Sequence, residues 1–562
     1  MNSDIEVERA RLSQTSRVQE LQRELRLTDM VTVCSNDASD QHYLSFYCAL
    51  IPSTEVAASM ANCTWNLMHG HGVPSAVMHY DDGKEQVEYL RFGDWSGIEP
   101  LVISREFHGI RPDYKEISEE FRHFHRLYHD RKEDRYYKFD ESGNEELVAI
   151  VEPQRIQIRL KEIRQFIAVK EMHLALLFDC REHSIRSLDE FGLTVAGSIQ
   201  SDGLLCWSLN YGDFGGLCKN KTFSRLLGKR LIPPLPKEKS GFWGFANEEQ
   251  KTYADFIIGT TDDGEDITHT SDPEQLANNF GANPDAPHYL TPVHFRKTVL
   301  DKYYQQPSKF SVEDNTLWCG NLWSMTMDNH HENQVVAWLG DLGRDLSYEN
   351  QLHWRSHNIA PTGGVSRTFF RRQILAQFTD SDRPEHVFQQ RYRELAEACE
   401  AHMGWLLLLP LSAEDEHHLK GVRVPASDEQ KDFDDLIQSL TKVLIDSLNE
   451  KALNGLIGTE KQSEIKGSIS RLEAAFIAQG VAEYQPHIAF LRKLQNLRSS
   501  GAAHRKGSNY QKIAAEFEVD SKNLRSVLSG ILGMAIACLE FMISIVSGGA
   551  MDSVMTSTET LS

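Results

Sequence analysis

The chain has 562 residues, of which 40% are hydrophobic and 25% charged, and its formal net charge is −22. This length predicts more than one domain, and the composition is typical of a globular protein rather than a disordered or membrane protein. So acidic a chain argues against a broad nucleic-acid-binding surface, because phosphate contacts need Lys and Arg. The nine cysteines contain no C-x-x-C pair, which argues against a zinc ribbon and favours a reducing, cytoplasmic environment.

Residues 1–212 are predicted to form an α+β domain, because helical and strand-like apolar periodicities alternate along them. In chain order we predict a helix over about 4–27, strands over 30–35 and 42–51, a helix over 110–128, a hairpin over 135–152, a helix over 160–169 and a strand over 173–180. The helix over 110–128 depends on an apolar stripe of helical spacing, formed by Ile110, Tyr114, Ile117, Phe121, Phe124 and Tyr128.

The segment 213–250 is rich in Gly, Pro and Lys, and this composition predicts a linker or a long surface loop. Residues 251–425 follow as a second α+β segment, which either stands alone or forms one domain with residues 1–212. Within this segment, residues 322–341 are typical of a hairpin with its turn at Asn329–His331.

A change of composition near residue 426 predicts a helical C-terminal part. All nine tryptophans precede this point, and of the 18 prolines only Pro486 follows it. We predict an all-α four-helix bundle over 426–546 and a disordered tail over 547–562. The first two predicted helices open with capping boxes at Ser427 and Thr459. The third has Pro486 in its first turn, and the fourth covers 522–546.

The last predicted helix contains a long apolar run, residues 526–546, with Glu540 as its single charge. Small and polar residues recur on one face, and such a stripe suits close packing against another helix, either in a bundle or in a membrane. We favour the buried bundle helix, because a lone Glu is costly at the centre of a bilayer. The stripe consists of Ser529, Gly533, Ala537, Glu540 and Ser544.

A basic island covers the third predicted helix and the break before the fourth, because residues 486–512 contain six Lys or Arg and no acid. Within it, Arg498 and His504 flank five small residues. One interpretation is a helix C-terminus with Gly501 after the last turn, where the helix dipole favours the Arg498 cation. The other is a phosphate site, because Arg498 continues an apolar stripe and no nearby acid in the sequence pairs with it. That stripe is Ile488, Leu491 and Leu494.

An Arg that holds a phosphate and a His that moves a proton are sufficient for metal-free cleavage of RNA. In such a reaction the ribose 2′-OH attacks its own phosphate. On this interpretation Arg498 stabilises the phosphate and His504 is the general acid/base, with an unperturbed pKa of about 6.5. Asn496, Arg505 and Lys506 are the candidate RNA contacts.

With this Arg-x5-His motif between its third and fourth helices, the C-terminal part resembles the HEPN domain family. The resemblance implies a metal-independent endoribonuclease that cleaves RNA, such as tRNA or mRNA, as a homodimer formed through the C-terminal helices. It also implies a role in bacterial anti-phage or toxin-type defence, with a regulatory ligand or protein acting at the N-terminal region. Ser499 stands where family ribonucleases often have Asn, Asp or His, so a non-catalytic dimerisation or nucleotide-binding module is the alternative.

Three further stretches carry possible metal ligands, and each has a structural interpretation that we favour. His125 and His129 lie one turn apart but lack the Glu of an H-E-x-x-H motif. The residues of 328–333 fit a solvated hairpin turn, and those of 260–269 lack the register of an EF-hand. We therefore predict no metal and no cofactor. The chain also lacks the glycine-rich phosphate-binding motifs and the nucleophile elbow of hydrolases.

Overall fold

The computed structural model describes residues 2–61, 63, 72–91, 97–214, 219–241, 251–377, 379–412, 414–458, 462, 465–501, 515–517, 519 and 523–551. The chain divides into two compact units. The first unit comprises Met1–Asp140 and Asn144–Lys251, and the second comprises Glu141–Gly143 and Thr252–Ser562. Each unit has its own antiparallel sheet and its own hydrophobic core.

The first unit is predominantly β. Its strands are β1 (Met30–Ala38), β2 (His42–Pro52), β3 (Pro74–Asp81), β4 (Lys84–Arg91), β5 (Val102–Arg105), β6 (Tyr114–Ile117), β7 (Tyr128–Asp130), β8 (Arg135–Phe139), β9 (Glu145–Val151), β10 (Arg155–Arg159), β11 (Met172–Ser184), β12 (Ala196–Asp202), β13 (Leu205–Asp213) and β14 (Thr222–Ile232). Its helices are α1 (Asn2–Ser13), α2 (Thr15–Gln22), α3 (Val56–Met60), α4 (Glu119–Phe124) and α5 (Leu160–Lys170).

Ten of these strands form one antiparallel sheet in the order β12-β13-β14-β11-β2-β1-β10-β9-β8-β7. Helix α5 contributes Ile163, Phe166 and Ile167 to a core that includes side chains of β1, β9 and β10. The predicted strands over 30–35, 42–51 and 173–180 are confirmed, and so are the hairpin over 135–152 and the helix over 160–169. The N-terminal helix is interrupted at Gln14, which adopts a left-handed conformation between α1 and α2.

The predicted helix over 110–128 is wrong. These residues form strand β6, which pairs with β5, then the short helix α4, and then the start of β7. Pro112 disfavours helical geometry in the residue before it, and the Ser118 hydroxyl caps α4 by accepting from the Phe121 amide. The residues of the predicted apolar stripe therefore do not share one buried face: Phe121 is buried, whereas Ile110 is 82% exposed.

The prediction of a linker or loop over 213–250 is also wrong for its central part. Strand β14 lies inside the large sheet, paired with β13 on one side and β11 on the other. Gly228 is needed there because a Cβ at this position would overlap the β13 backbone at Cys206 and Trp207. A glycine that indicates a loop in the sequence is thus a site of close strand packing in the fold.

The second unit begins with a mixed α and β part. Its strands are β15 (Asp255–Thr260), β16 (Asp266–Thr270), β17 (Pro292–Arg296), β18 (Phe310–Glu313), β19 (Thr316–Cys319), β20 (Trp323–Asp328), β21 (Gln334–Trp338) and β22 (Asn358–Ile359). The last six form an antiparallel sheet in the order β18-β19-β20-β21-β17-β22, and β15 pairs with β16. The predicted hairpin over 322–341 is confirmed as β20 and β21. The helices of this mixed α and β part are α6 (Asp301–Tyr304), α7 (Leu339–Asp345), α8 (Tyr348–Ser356) and α9 (Arg367–Gln373).

The C-terminal part of the second unit is helical, as predicted. Its helices are α10 (Pro384–His402), α11 (Glu416–Lys420), α12 (Gln430–Thr441), α13 (Glu450–Gly455), α14 (Ser468–Ala478), α15 (Gln485–Gly501) and α16 (Leu524–Ser547), and a π-helical turn, Lys442–Asp446, continues α12. Phe388 and Leu395 of α10 belong to the same core as α12, α14, α15 and α16, so this core begins upstream of the composition change at 426. The predicted capping box at Ser427 is wrong, because Glu429 is the N-cap of α12.

Helix α16 differs from the prediction in the face that it buries. Its large apolar side chains, such as Leu532 and Leu539, are fully buried, whereas Gly533, Ala537 and Glu540 of the small and polar stripe are exposed. Burying the larger side chains removes more apolar area from water, so the predicted close packing along the small stripe is wrong. Among the described residues α16 is the one helix long and apolar enough to cross a membrane, a property that core helices of soluble proteins share.

Candidate functional site

Arg498 lies in the last turn of α15, at the edge of that helix's buried face. Leu494 and Leu497 are buried in the helical core, and the Arg498 side chain beside them is 33% exposed. The predicted apolar stripe of Ile488, Leu491 and Leu494 is confirmed. Arg498 therefore lies where the packed face meets solvent, a position from which a guanidinium can reach an external anion.

The partner of Arg498 is Asp446, whose Oδ2 accepts a hydrogen bond from Nη1 at 2.7 Å. Asp446 ends the π-helical turn, and such insertions in a helix recur at functional sites. The carboxylate comes from 52 residues earlier in the chain, so no local sequence pattern could indicate it. Because the Asp446 side chain is 39% exposed, the pair contributes at most about 1 kcal/mol to stability.

His418 of α11 lies within electrostatic range of His417, Lys442 and Arg498. His417 and His418 of α11 have ring centroids 4.0 Å apart, and Lys442 of the π-helical turn pairs with Asp415. Partial burial lowers the pKa of His418, and the neighbouring His417, Lys442 and Arg498 lower it further against an opposing effect of Asp415. These effects favour the neutral form of the His418 ring.

The hydrogen bonds of His418 identify its basic nitrogen. The Ser439 hydroxyl donates to the Asp435 carbonyl at 2.9 Å, and its oxygen lies 3.0 Å from Nδ1 of His418. The hydroxyl therefore accepts from Nδ1–H, which leaves the lone pair on Nε2. The sequence offers only a weak signal for this arrangement, an adjacent His-His pair, because the tertiary fold is what brings His418 within electrostatic range of Arg498.

The other predicted site residues are only partly described. Asn496 is exposed on α15, and the Ser499 hydroxyl donates to the Gln495 carbonyl at 2.8 Å. His504, Arg505 and Lys506 lie outside the described residues, as does most of the tail over 547–562. Of the predicted catalytic pair, the structure thus places Arg498.

The predicted interpretation of 328–333 as a solvated turn is wrong. Asp328 and Asn329 are buried, and the side chain of His330 is 5% exposed. His330 instead lies against Asp314 and His386, and these three residues are the group in the described part of the chain whose side chains could hold a metal ion.

The other stretches with possible metal ligands have partners of their own. His125 is buried, shares a hydrogen bond of 2.9 Å with the Glu162 carbonyl, and has its pKa lowered to about 4 by burial. His129 pairs with Asp134 at 2.7 Å and stacks on Tyr136. Residues 260–269 form the hairpin of β15 and β16.

The arrangement around Arg498 can bind an anion and accept a proton, which are two of the operations that phosphodiester cleavage requires. Comparisons with protein-family models, with curated proteins and with solved structures gave no match.

Proposed function

We propose that the chain is a metal-independent endoribonuclease whose active site is formed around Arg498 and His504. The observation that supports the proposal is that Arg498, at a partly exposed end of the helical core, lies within electrostatic range of His418, whose charged neighbours include Lys442. A phosphate that binds there can accept hydrogen bonds from cationic side chains. Replacing the ion pair between Arg498 and Asp446 by a contact with the phosphate costs little free energy, because that pair is weak.

The chemistry requires a phosphate-binding group and a group that moves protons. Arg498 binds the non-bridging oxygens of the scissile phosphate, and His504 acts as general acid/base. The 2′-oxygen loses its proton and bonds to phosphorus, the bond to the 5′-oxygen breaks, and that oxygen takes up a proton. The products are a 2′,3′-cyclic phosphate and a free 5′-hydroxyl, so the reaction consumes no water and needs no metal.

The wider proposal follows the resemblance to HEPN domains. We infer that α12, α14, α15 and α16 form a HEPN-like bundle, an inference supported by their shared core. Two copies of the chain would join through these helices, with Asn496, Arg505 and Lys506 contacting the RNA. The remainder of the chain would sense a trigger or restrain the nuclease in a cytoplasmic defence system against phage.

A second candidate function has an observation in its favour. The pairing of Arg498 with Asp446 supplies an anion from the chain itself, as expected of a structural arginine. On this alternative the bundle is a non-catalytic dimerisation or nucleotide-binding module, and the arginine stabilises the end of α15.

The two candidates are distinguished by incubating purified protein with total RNA in the presence of a chelator. We expect the wild type to produce fragments with cyclic phosphate ends, and Arg498→Ala and His504→Ala to reduce cleavage by at least about 100-fold. Arg492→Ala is the matched control, because Arg492 is an exposed cation on the same helix that pairs with Glu473. Equal, low cleavage by all four folded proteins would favour the non-catalytic module.

The same variants, expressed in bacteria, test the proposed role in defence. We expect the wild type to arrest growth and fragment cellular RNA, whereas well-expressed Arg498→Ala and His504→Ala are harmless. Loss of folding in Arg498→Ala, measured by thermal melting, would favour a structural role for this arginine.

A further inference from the structure

A second polar cluster in the second unit contains residues that the proposed nuclease reaction does not use. Asp314 lies in the turn between β18 and β19, His330 in the turn between β20 and β21, and His386 in the first turn of α10. Each of the three residues offers one ligand atom, and these atoms lie within 4.8 Å of one another. Three separate elements thus place two imidazoles and a carboxylate around one point.

The separations within the cluster are those of atoms that share a metal ion. Oδ1 of Asp314 lies 2.8 Å from Nε2 of His330 and 3.4 Å from Nδ1 of His386. In a tetrahedral site with metal–ligand bonds of about 2.0 to 2.1 Å, neighbouring ligand atoms are about 3.3 Å apart. The two observed distances, 2.8 Å and 3.4 Å, lie on either side of that separation.

Unsatisfied polar atoms in the cluster are a second, independent observation. Both ring nitrogens of His330 and Oδ1 of Asp314 are buried and lack a hydrogen-bond partner among the described residues. The two residues lie 2.8 Å apart, yet their orientation does not meet hydrogen-bond geometry. A buried polar atom without a partner is costly, and lone pairs that converge on one point are satisfied by a bound cation.

Neighbouring side chains hold the ligands in place. Arg372 donates to Oδ2 of Asp314 at 2.7 Å, which leaves Oδ1 directed toward the histidines. Asn329 joins the two turns, because it donates to the Glu313 carbonyl at 2.9 Å and accepts from the Asn315 amide at 3.3 Å. Outer contacts of this kind orient metal ligands in known sites.

Both ring nitrogens of His386 take part in hydrogen bonds with neighbouring side chains. The Ser381 hydroxyl is 3.1 Å from Nδ1 of His386, and Nδ2 of Asn329 is 3.5 Å from its Nε2. A small pocket lined by Asp314, His386, Ser381 and Gln389 opens beside the cluster. This pocket gives an ion a route of entry and leaves room for water as a further ligand.

We propose that Asp314, His330 and His386 bind one divalent transition-metal ion, with Zn²⁺ as the best match to two imidazoles and one carboxylate. Imidazole ligands favour Zn²⁺ over Mg²⁺ and Ca²⁺, which prefer all-oxygen sites. Three protein ligands and an adjoining pocket are the arrangement of a site that keeps one position open. This departs from the expectation of no metal that the sequence alone suggested.

The test uses the untagged full-length chain, stripped of metal by a chelator and titrated with Zn²⁺ against a chromophoric competitor. We expect one tight equivalent per chain, with Mg²⁺ unable to compete. His330→Ala and His386→Ala are expected to weaken Zn²⁺ binding at least about 100-fold. His331→Ala is the matched control, because His331 lies in the same turn, 3.2 Å from Asp328, but is not one of the three clustered ligands.

The wild type itself provides a readout that does not depend on the stability of variants. X-ray absorption of the Zn²⁺-loaded chain should show a shell of nitrogen and oxygen ligands containing two imidazoles. A wild type that takes up no stoichiometric Zn²⁺, or a shell without two imidazoles, would overturn the proposal. So would a folded His330→Ala variant that binds Zn²⁺ as tightly as the wild type.

Discussion

Two polar clusters of the second unit contrast in how their charged groups are satisfied. Arg498 and Asp446 form a direct ion pair at 2.7 Å, with both side chains about one-third exposed. His330 and His386 lie deeper, with side chains at most 6% exposed, beside Asp314 at 28%, and both ring nitrogens of His330 and Oδ1 of Asp314 lack a hydrogen-bond partner among the described residues. The cluster around Arg498 is paired within its own chain, whereas the other cluster has buried polar atoms without a hydrogen-bond partner among the described residues.

The difference follows from where each cluster lies relative to the core. At the end of α15, water solvates whatever the ion pair leaves unsatisfied, so a pair there is weak and exchangeable. Between the turns of the six-stranded sheet and α10, water has little access to His330, and each unpaired atom carries its full desolvation cost. Burial therefore decides whether water can satisfy the polar atoms that the chain leaves unpaired.

The largest effect is expected from the apolar residue that lies one turn before Arg498. Leu494→Ala should lower the free energy of unfolding of the second unit by about 2 to 5 kcal/mol, because Leu494 is fully buried and its truncation leaves a cavity. Denaturant unfolding measures the change, and Gln495→Ala, at an exposed neighbouring position, is the control. A loss below about 1 kcal/mol for Leu494→Ala would contradict the observed packing of α15.

An intermediate effect is expected at Asp314. Asp314→Asn should lower the free energy of unfolding of the metal-free chain by about 1.5 to 3 kcal/mol at neutral pH, because Arg372 loses a partly buried anionic partner.

The pH dependence of that effect has a defined sign. Burial raises the pKa of the Asp314 carboxyl, but His330, His386 and Arg372 outweigh it and hold this pKa well below its usual range. The stabilisation is thus present above the unfolded-state pKa of about 3.9 and is lost as the pH falls through the folded-state value. The difference between wild type and Asp314→Asn should shrink below about pH 4, and a constant difference would contradict the assignment.

The smallest effect is expected at the partly exposed ion pair. Asp446→Ala should change the free energy of unfolding by less than about 1 kcal/mol, and this change should decrease further in high salt. Unfolding at low and high ionic strength measures it. A loss of several kcal/mol that salt does not reduce would show that Arg498 is anchored structurally, which would favour the non-catalytic alternative.

Local sequence patterns predicted well those elements whose burial follows from one periodic face. The alternation in 30–35 and 42–51, and the helical stripe through Leu491 and Leu494, predicted elements that the structure confirms. Local sequence patterns failed where long-range strand pairing overrides local preference, as in the strand that contains Ile117 and in the central strand around Gly228. Periodicity there is compatible with two structures, and the partner strand decides between them.

The sequence by itself determined the α+β character of the first part, the helical character of the last part, and the presence of a basic segment around Arg498. These properties depend on composition and on the spacing of apolar residues, which are local quantities. The tertiary structure decided which groups meet: Asp446 with Arg498, and Asp314 with His330 and His386. Such contacts join residues that are far apart in the chain. Whether a polar group has a hydrogen-bond partner depends on its burial and its neighbours, which exist only in the folded protein.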